Sequence, residues 1–249
     1  MFELSRQLKA AGKRLGPTVI INEFKALDGL DASVKVFRVK VGEGRAEPDP
    51  FGFKNQYFSP QAWFDEWWPA LSAGARPGVY LKWHNELRWR GLWAQRIAWE
   101  RAFMDLCAAK GLHILYGNFP VAGLDADAIE ALVPMVEQGA QQGHMLCGNT
   151  YWYASAATAE AMFTYMLQLV RKVPYAPWMH GELGFGDNDA AYAGRAPLEA
   201  LLANHARCFG QDAGAYEGGA LYGENGAGGN WPHSNIPRED FDVIVKASG

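Results

Sequence analysis

The segment VYLKWHNE, residues 79–86, decides how the rest of the chain is read. It is a short apolar run ending in polar side chains, and it recurs in kind. LHILYGNF begins at Leu112, MLCGNTYW at Met145 and WMHGELGF at Trp178, each start 33 residues after the one before. A strand, a helix and two loops fill about that length, so a constant step of this size marks successive parallel strands joined by crossover helices. Solenoid repeats share the period but need self-similar sequence, which these segments lack.

The intervals between the runs read as helices. Ser59-Pro60 is an N-cap followed by proline at the first helical position, ahead of QAWFDEWWPAL. From Trp89 to Lys110 apolar residues recur at three-to-four spacing until Gly111 ends the pattern. Asp125 and Ser155 are placed to cap two further helices. TVIINEF from Thr18, VKVFRVKV from Val34 and GGALYG from Gly218 add three strands, and FDVIVKA from Phe241 is a candidate eighth. The expected architecture is one α/β domain over residues 1–249, a (β/α)8 TIM-type barrel. Only 78 residues precede Val79, fewer than three such units need, so an abbreviated N-terminal part is expected. A doubly wound sheet would show a glycine fingerprint after the first strand, and TVIINEFKALDG has none.

Composition narrows the partners. The 249 residues are 49% hydrophobic and 20% charged, with a net charge of −4 and no basic run beyond pairs such as Lys13-Arg14 and Arg171-Lys172. Nucleic acid is therefore not expected as a partner. Three widely spaced cysteines, Cys107, Cys147 and Cys208, suit buried thiols and make neither a disulfide framework nor a metal knuckle. No apolar stretch approaches the ~18 residues of a membrane span, and Met1–Gly16 lacks a signal-peptide core. A soluble chain is expected, cytoplasmic or phage-associated if it is complete. Seven of the ten tryptophans fall between Trp63 and Trp99, a density that suits aromatic platforms for sugars. Trp63, Trp67 and Trp68 equally fit the packing of a helix on a barrel, and Trp83 reads as strand packing.

In a parallel barrel the site lies where the strands end. Those ends read Asn22-Glu23, Arg38, His84-Asn85-Glu86, Asn118, Asn149-Tyr151, His180-Glu182 and Tyr222-Glu224-Asn225. Glycoside hydrolysis needs two carboxylates, one protonated to release the leaving oxygen and one to attack the anomeric carbon or activate water. Glu86 and Glu182 are the best pair: 96 residues separate them, close to three units, which puts them on strands three places apart. Asn85 can donate to a sugar hydroxyl, and Arg38 or Tyr151 can keep Glu182 ionised. Asn22-Glu23 is a competing motif that fits no three-strand offset. Glu224 sits beside a glycine loop, where a solvated loop residue is the plain reading and contact with substrate the alternative. His84 and His180 lack the spacing of a metal pair, so substrate hydrogen bonding is their expected role, and no metal or cofactor is expected. No Gly-x-Ser-x-Gly elbow is present.

These same residues resemble the clan A glycoside hydrolases. YLKWHNEL resembles their Asn-Glu motif at the fourth strand, and WMHGELGF their seventh-strand segment, whose glutamate is the nucleophile. Arg38 in VFRV is similar to the arginine that supports that nucleophile, and Tyr151 in NTYW to the tyrosine hydrogen-bonded to it. KGLHILYGNFPVAG resembles the fifth-strand segment of bacterial and phage members. The resemblance covers residues 78–226 and implies a retaining glycosidase acting on a β-linked polysaccharide or cell-wall glycan, with Glu86 as acid/base and Glu182 as nucleophile. It also implies an aromatic floor for the sugar, for which Trp231 and Tyr222 are the candidates. Leu87 stands where the clan usually has proline. The alternative is a barrel that binds glycan without cleaving it, as a phage or surface adhesion module.

Overall fold

In the computed structural model the described residues are 2–21, 27–39, 49–51, 57–84, 91–120, 124–152, 165–185, 195–209, 215–221 and 238–247. Seven strands lie along them, alternating with helices from β2 onward. They are α1 Phe2–Ala10, β1 Thr18–Ile21, β2 Lys35–Arg38, α2 Pro60–Gly74, β3 Val79–Lys82, α3 Trp93–Ala109, β4 Leu115–Phe119, α4 Ala126–Gln141 and β5 Met145–Trp152. Helical residues 165–172 (α5), β6 Trp178–Phe185, α6 Arg195–Phe209, β7 Tyr216–Leu221, a 3-10 turn Arg238–Asp240 and α7 Phe241–Ala247 follow.

Every strand pairing is parallel, in the order β1-β2-β3 and β4-β5-β6-β7. Among the described residues a single parallel bridge, Leu81 to Ile114, joins the two ladders, with Leu81 N donating to His113 O at 2.8 Å. The strands therefore follow one another in space as they do in sequence. Both faces are buried, as parallel strands require. Val19, Val36, Tyr80, Leu115, Met145, Cys147 and Met179, drawn from β1 to β6, pack into one apolar cluster. The opposite faces and the helices form a second, larger one. At the two ends of the chain α1 packs on α7, and Lys13 Nζ donates to Val245 O at 2.9 Å.

Local signals set the helices. Ser59 Oγ accepts from Ala62 N at 3.2 Å with Pro60 opening α2, and Asp125 Oδ1 accepts from Ala128 N at 3.1 Å to open α4. The α2 face bearing Trp63, Phe64, Trp67 and Leu71 is buried. Trp63 stacks on Trp67 at 5.0 Å, Trp99 on Phe103 at 5.1 Å, and Trp83 of the strand end lies between them. The tryptophan-rich stretch thus glues α2 and α3 to β3, and Trp63 and Trp67 are not a sugar platform. Trp68 is exposed, tilted against Phe64 with Lys110 Nζ 5.7 Å above its ring.

FDVIVKA, expected as a strand, is the helix α7. Phe241 and Ile244 are buried three residues apart while Lys246 is exposed, the spacing of a helix face. Asp242 and Lys246 form an i,i+4 pair at 3.1 Å, and Arg195 grips Asp242 with two bonds of 2.7 and 2.6 Å. An eighth strand is absent among the described residues.

Candidate active site

Because all the strands run the same way, their C-terminal ends share one end of the molecule. β3 and β6, which carry the two segments expected to supply the carboxylates, are three places apart with β4 and β5 between them. Counted over the described residues they are the third and sixth strands, one fewer than in the clan pattern. Asn85, Glu86, Tyr222, Glu224 and Trp231 lie outside the described residues, as do Asn22 and Glu23. Glu182 and Tyr151 are placed by their backbone, on β6 and β5.

The register around Glu182 is irregular. Gly148 pairs with His180, yet Asn149 pairs with Glu182, so Gly181 is one extra residue on β6. In an unbroken strand positions 180 and 182 share a face. The extra residue breaks that alternation.

His180 is buried and packs toward α6, with its ring centroid 5.5 Å from Tyr216 and 6.0 Å from His205. Burial drives its pKa well below the ordinary value, His205 adds to the effect, and a hydrogen bond to the Gly148 backbone opposes it. Sequence reasoning put His180 at the mouth because it precedes Glu182 by two. The structure separates it from the other candidates and makes it a strut between β5, β6 and α6.

His84 and Asn118 are brought together, at 3.2 Å between His84 Nε2 and Asn118 Nδ2. The same amide nitrogen donates to Leu115 O at 3.2 Å. Asn118 has φ of 38°, the left-handed region that asparagine tolerates, directly after Gly117 at 79°. These two residues interrupt the β4–β5 register between Tyr116 and Phe119.

Glu100, on the buried face of α3, completes this cluster. It is fully buried; Oε1 accepts from Gly117 N at 3.2 Å and stands 3.9 Å from His84 Nε2. Burial lowers the His84 pKa, the hydrogen bond and charge of Glu100 oppose the shift, and Lys82 and Arg96 reinforce it. Arg96, one turn earlier on α3, pairs with Asp49.

Arg38 ends β2, half-buried, with its Cα paired to Lys82 at the end of β3. Lys82 is fully buried. Neither Lys82 nor Glu100 was anticipated, though both carried a signal: a lysine inside an apolar parallel strand, and a glutamate at a core position, three residues after Ile97 and three before Phe103. Among the described residues no group of three His, Cys, Asp or Glu side chains could hold a metal ion. No helix among them is long and apolar enough to cross a membrane.

The sequence matches no family model and no curated protein. Solved structures do match. That of XacCel5A superposes with a TM-score of 0.58 at 10% identity, over 99% of this chain and 89% of that one. A curdlan-specific exo-β-1,3-glucanase from Blastomyces gilchristii, in complex with glucose, aligns at 0.48 and 12% identity over 94% and 97% of the two chains. A thermostable xylanase mutant (Xyn10A) from Cellvibrio japonicus aligns at 0.46 and 11% over 96% and 99%. The fold is that of XacCel5A. These neighbours are TIM-barrel glycosidases, and at such identities the likeness concerns the fold alone.

Proposed function

We propose that the chain is a retaining glycoside hydrolase acting on a β-linked oligosaccharide or polysaccharide, with Glu86 as acid/base and Glu182 as nucleophile. The observation that carries this reading is the placement of the segments leading into the two glutamates. Glu86 follows the end of β3, and Glu182 sits on β6 beside Asn149, two strands intervening, in a fold shared with a glycosidase. A ring of strands closed into a barrel belongs to the same proposal. The single inner cluster drawn from β1 to β6 and the packing of α1 on α7 support it.

The chemistry needs little else. Glu182 attacks the anomeric carbon while Glu86 gives its proton to the departing oxygen. Water activated by Glu86 then releases the sugar with its original configuration. Arg38, Asn85 and Tyr151 hold the ionised nucleophile and the sugar hydroxyls, and Trp231 or Tyr222 lies beneath the ring.

Assay of aryl β-glycosides and a panel of β-glucans, xylans and wall glycans tests the proposal, with product anomers followed by NMR. Turnover with retention, abolished in Glu182→Ala, is the expected result. Binding without turnover on every substrate would instead make the chain a glycan-binding module.

A further inference from the structure

Three large rings are open to solvent among the described residues, Tyr57, Trp68 and Tyr175, and they lie in different places. Trp68 is inside α2, and Tyr175 lies between α5 and β6, at the end where the strands begin. Tyr57 is at the other end. β2 finishes at Arg38 and α2 starts at Pro60, so the connection that carries Tyr57 leaves from the strand ends, where parallel α/β folds build their sites.

The surroundings of Tyr57 are tied down. Phe58 N donates to Pro50 O at 2.8 Å, and Trp99 Nε1 of α3 donates to Phe58 O at 2.9 Å. Asp49 Oδ1 accepts from Phe51 N at 2.9 Å, while Asp49 Oδ2 pairs with Arg96. The guanidinium carbon of Arg96 lies 4.0 Å from the centroid of the Phe51 ring. Arg96 is buried, and its charge is felt at His84 just beyond the end of β3, so this shelf borders the strand ends. The Tyr57 ring stands on Phe51 with centroids 5.2 Å apart and planes at 83°. An edge-to-face pair covers at most one face of a ring, and Tyr57 keeps 62% of its surface open.

Ordering a loose side chain during binding weakens the complex, whereas a ring held beforehand avoids that loss. Tyrosine suits the task because it offers a broad apolar face with a polar hydroxyl at its rim and has two χ angles to fix. A pyranose presents the matching pattern, a patch of C–H groups bordered by hydroxyls. We propose that Tyr57 is a stacking platform for one pyranose unit of a glycan chain, with Phe51 and Arg96 as the shelf that holds it. The ligand class rests on the glycosidase reading above, whereas the stacking does not require turnover.

The test adds β-glucan, xylan and wall-glycan oligosaccharides, from disaccharide to hexasaccharide, to the full chain carrying Glu182→Gln, so that no saccharide is consumed. Tyr57 ring resonances, assigned through Tyr57→Phe, are followed by NMR, and affinities are measured by calorimetry. At least one series should shift the Tyr57 ring. Tyr57→Ala should weaken that series by about 3–10-fold, while Tyr57→Phe and Tyr57→Trp keep it near the parent value. The Tyr57→Ala chain should unfold in urea at the parent midpoint, since the side chain is exposed. Phe51→Ala should weaken binding part of the way with Tyr57 still present, and unchanged affinity there would remove the shelf. Equal affinity of Tyr57→Ala for every saccharide that binds overturns the platform even if the wild-type chain hydrolyses glycosides, and so does a failure of all of them to bind. A shifted ring and a weakened Tyr57→Ala, in a chain whose wild type cleaves no glycoside, uphold the platform while the glycosidase reading falls.

Discussion

His84 Nε2 stands 3.9 Å from Glu100 Oε1, and both side chains are shut off from solvent. The glutamate comes from α3 and the histidine from the end of β3, and both also bond to β4: Glu100 through Gly117 N, His84 through Asn118. Glu100→Ala leaves the Gly117 N–H without its acceptor, which should cost about 1–3 kcal/mol in urea unfolding. Glu100→Gln keeps an acceptor there and should cost less. In both variants the His84 pKa should fall further, because the group opposing its decrease is gone. Ring proton NMR in Glu100→Gln checks this, and a His84 pKa that rises would contradict it.

Three buried histidines and the half-buried His205 make stability depend on pH. Burial holds His84 and His180 below their ordinary value and brings His144 and His205 to about 4. The unfolded chain takes up protons near pH 6.5, whereas the folded chain resists until lower pH. Their contribution is therefore complete above pH 6.5 and is lost as pH falls from 6.5 toward 4, at a slope of up to about 1.4 kcal/mol per unit for each histidine. Urea midpoints measured at pH 7, 6 and 5 should decrease in that order.

Two glycines are held by their neighbours. In α4 a Cβ at Gly139 would lie 2.5 Å from Tyr116 Cε1 and 2.6 Å from its hydroxyl. Gly139→Ala should destabilise by about 1–3 kcal/mol, exceeding the roughly 1 kcal/mol that alanine contributes to a helix. At Gly181 the obstacle is Cys147 Sγ. Gly181→Ala should lower both stability and activity, and adding Cys147→Ala should restore part of each. Simple additivity in that pair would speak against the contact.

The two proposed carboxylates should respond differently to azide. Glu86→Ala should still form the glycosyl-enzyme from activated aryl glycosides, and azide should then release a β-glycosyl azide. Glu182→Ala should form no covalent intermediate, and azide should enter the vacated face to give the opposite anomer. Exchanged products would exchange the roles. Full activity in both variants would remove the assignment and direct attention to Glu23 and Glu224.

Four of the seven strands were legible from the step of 33 residues, a property of the strand-helix unit itself, and the other three, from Thr18, Val34 and Gly218, from their short apolar runs. FDVIVKA was misread because Val-Ile-Val mimics alternation. The truer signal was upstream, where Pro237 precedes Glu239 and Asp240 at the entrance to a helix. At the site, strand-end polarity put His84 and Asn118 at one mouth as substrate contacts but did not show that they meet each other. It could not reveal that His180 turns toward α6, since the extra residue at Gly181 is a matter of pairing between β5 and β6 and leaves no periodic trace. The depth of Lys82 was hidden for a related reason: a single lysine in VYLK reads as a strand end until the neighbours that cover it are known.

The lone bridge between β3 and β4 divides the molecule into two ladders, and the proposed pair is shared between them, Glu86 following one and Glu182 riding on the other. Among the described residues toward the mouth end, side chains cross near this line, His84 to Asn118 and Glu100 to Gly117. The two ladders are thus like the arms of a caliper, clamped along one joint. A chain cut at the Lys110–Gly111 turn would yield two pieces holding one glutamate each. Neither piece could hydrolyse a glycoside alone, and recovered activity on mixing would count the fragments that had found one another.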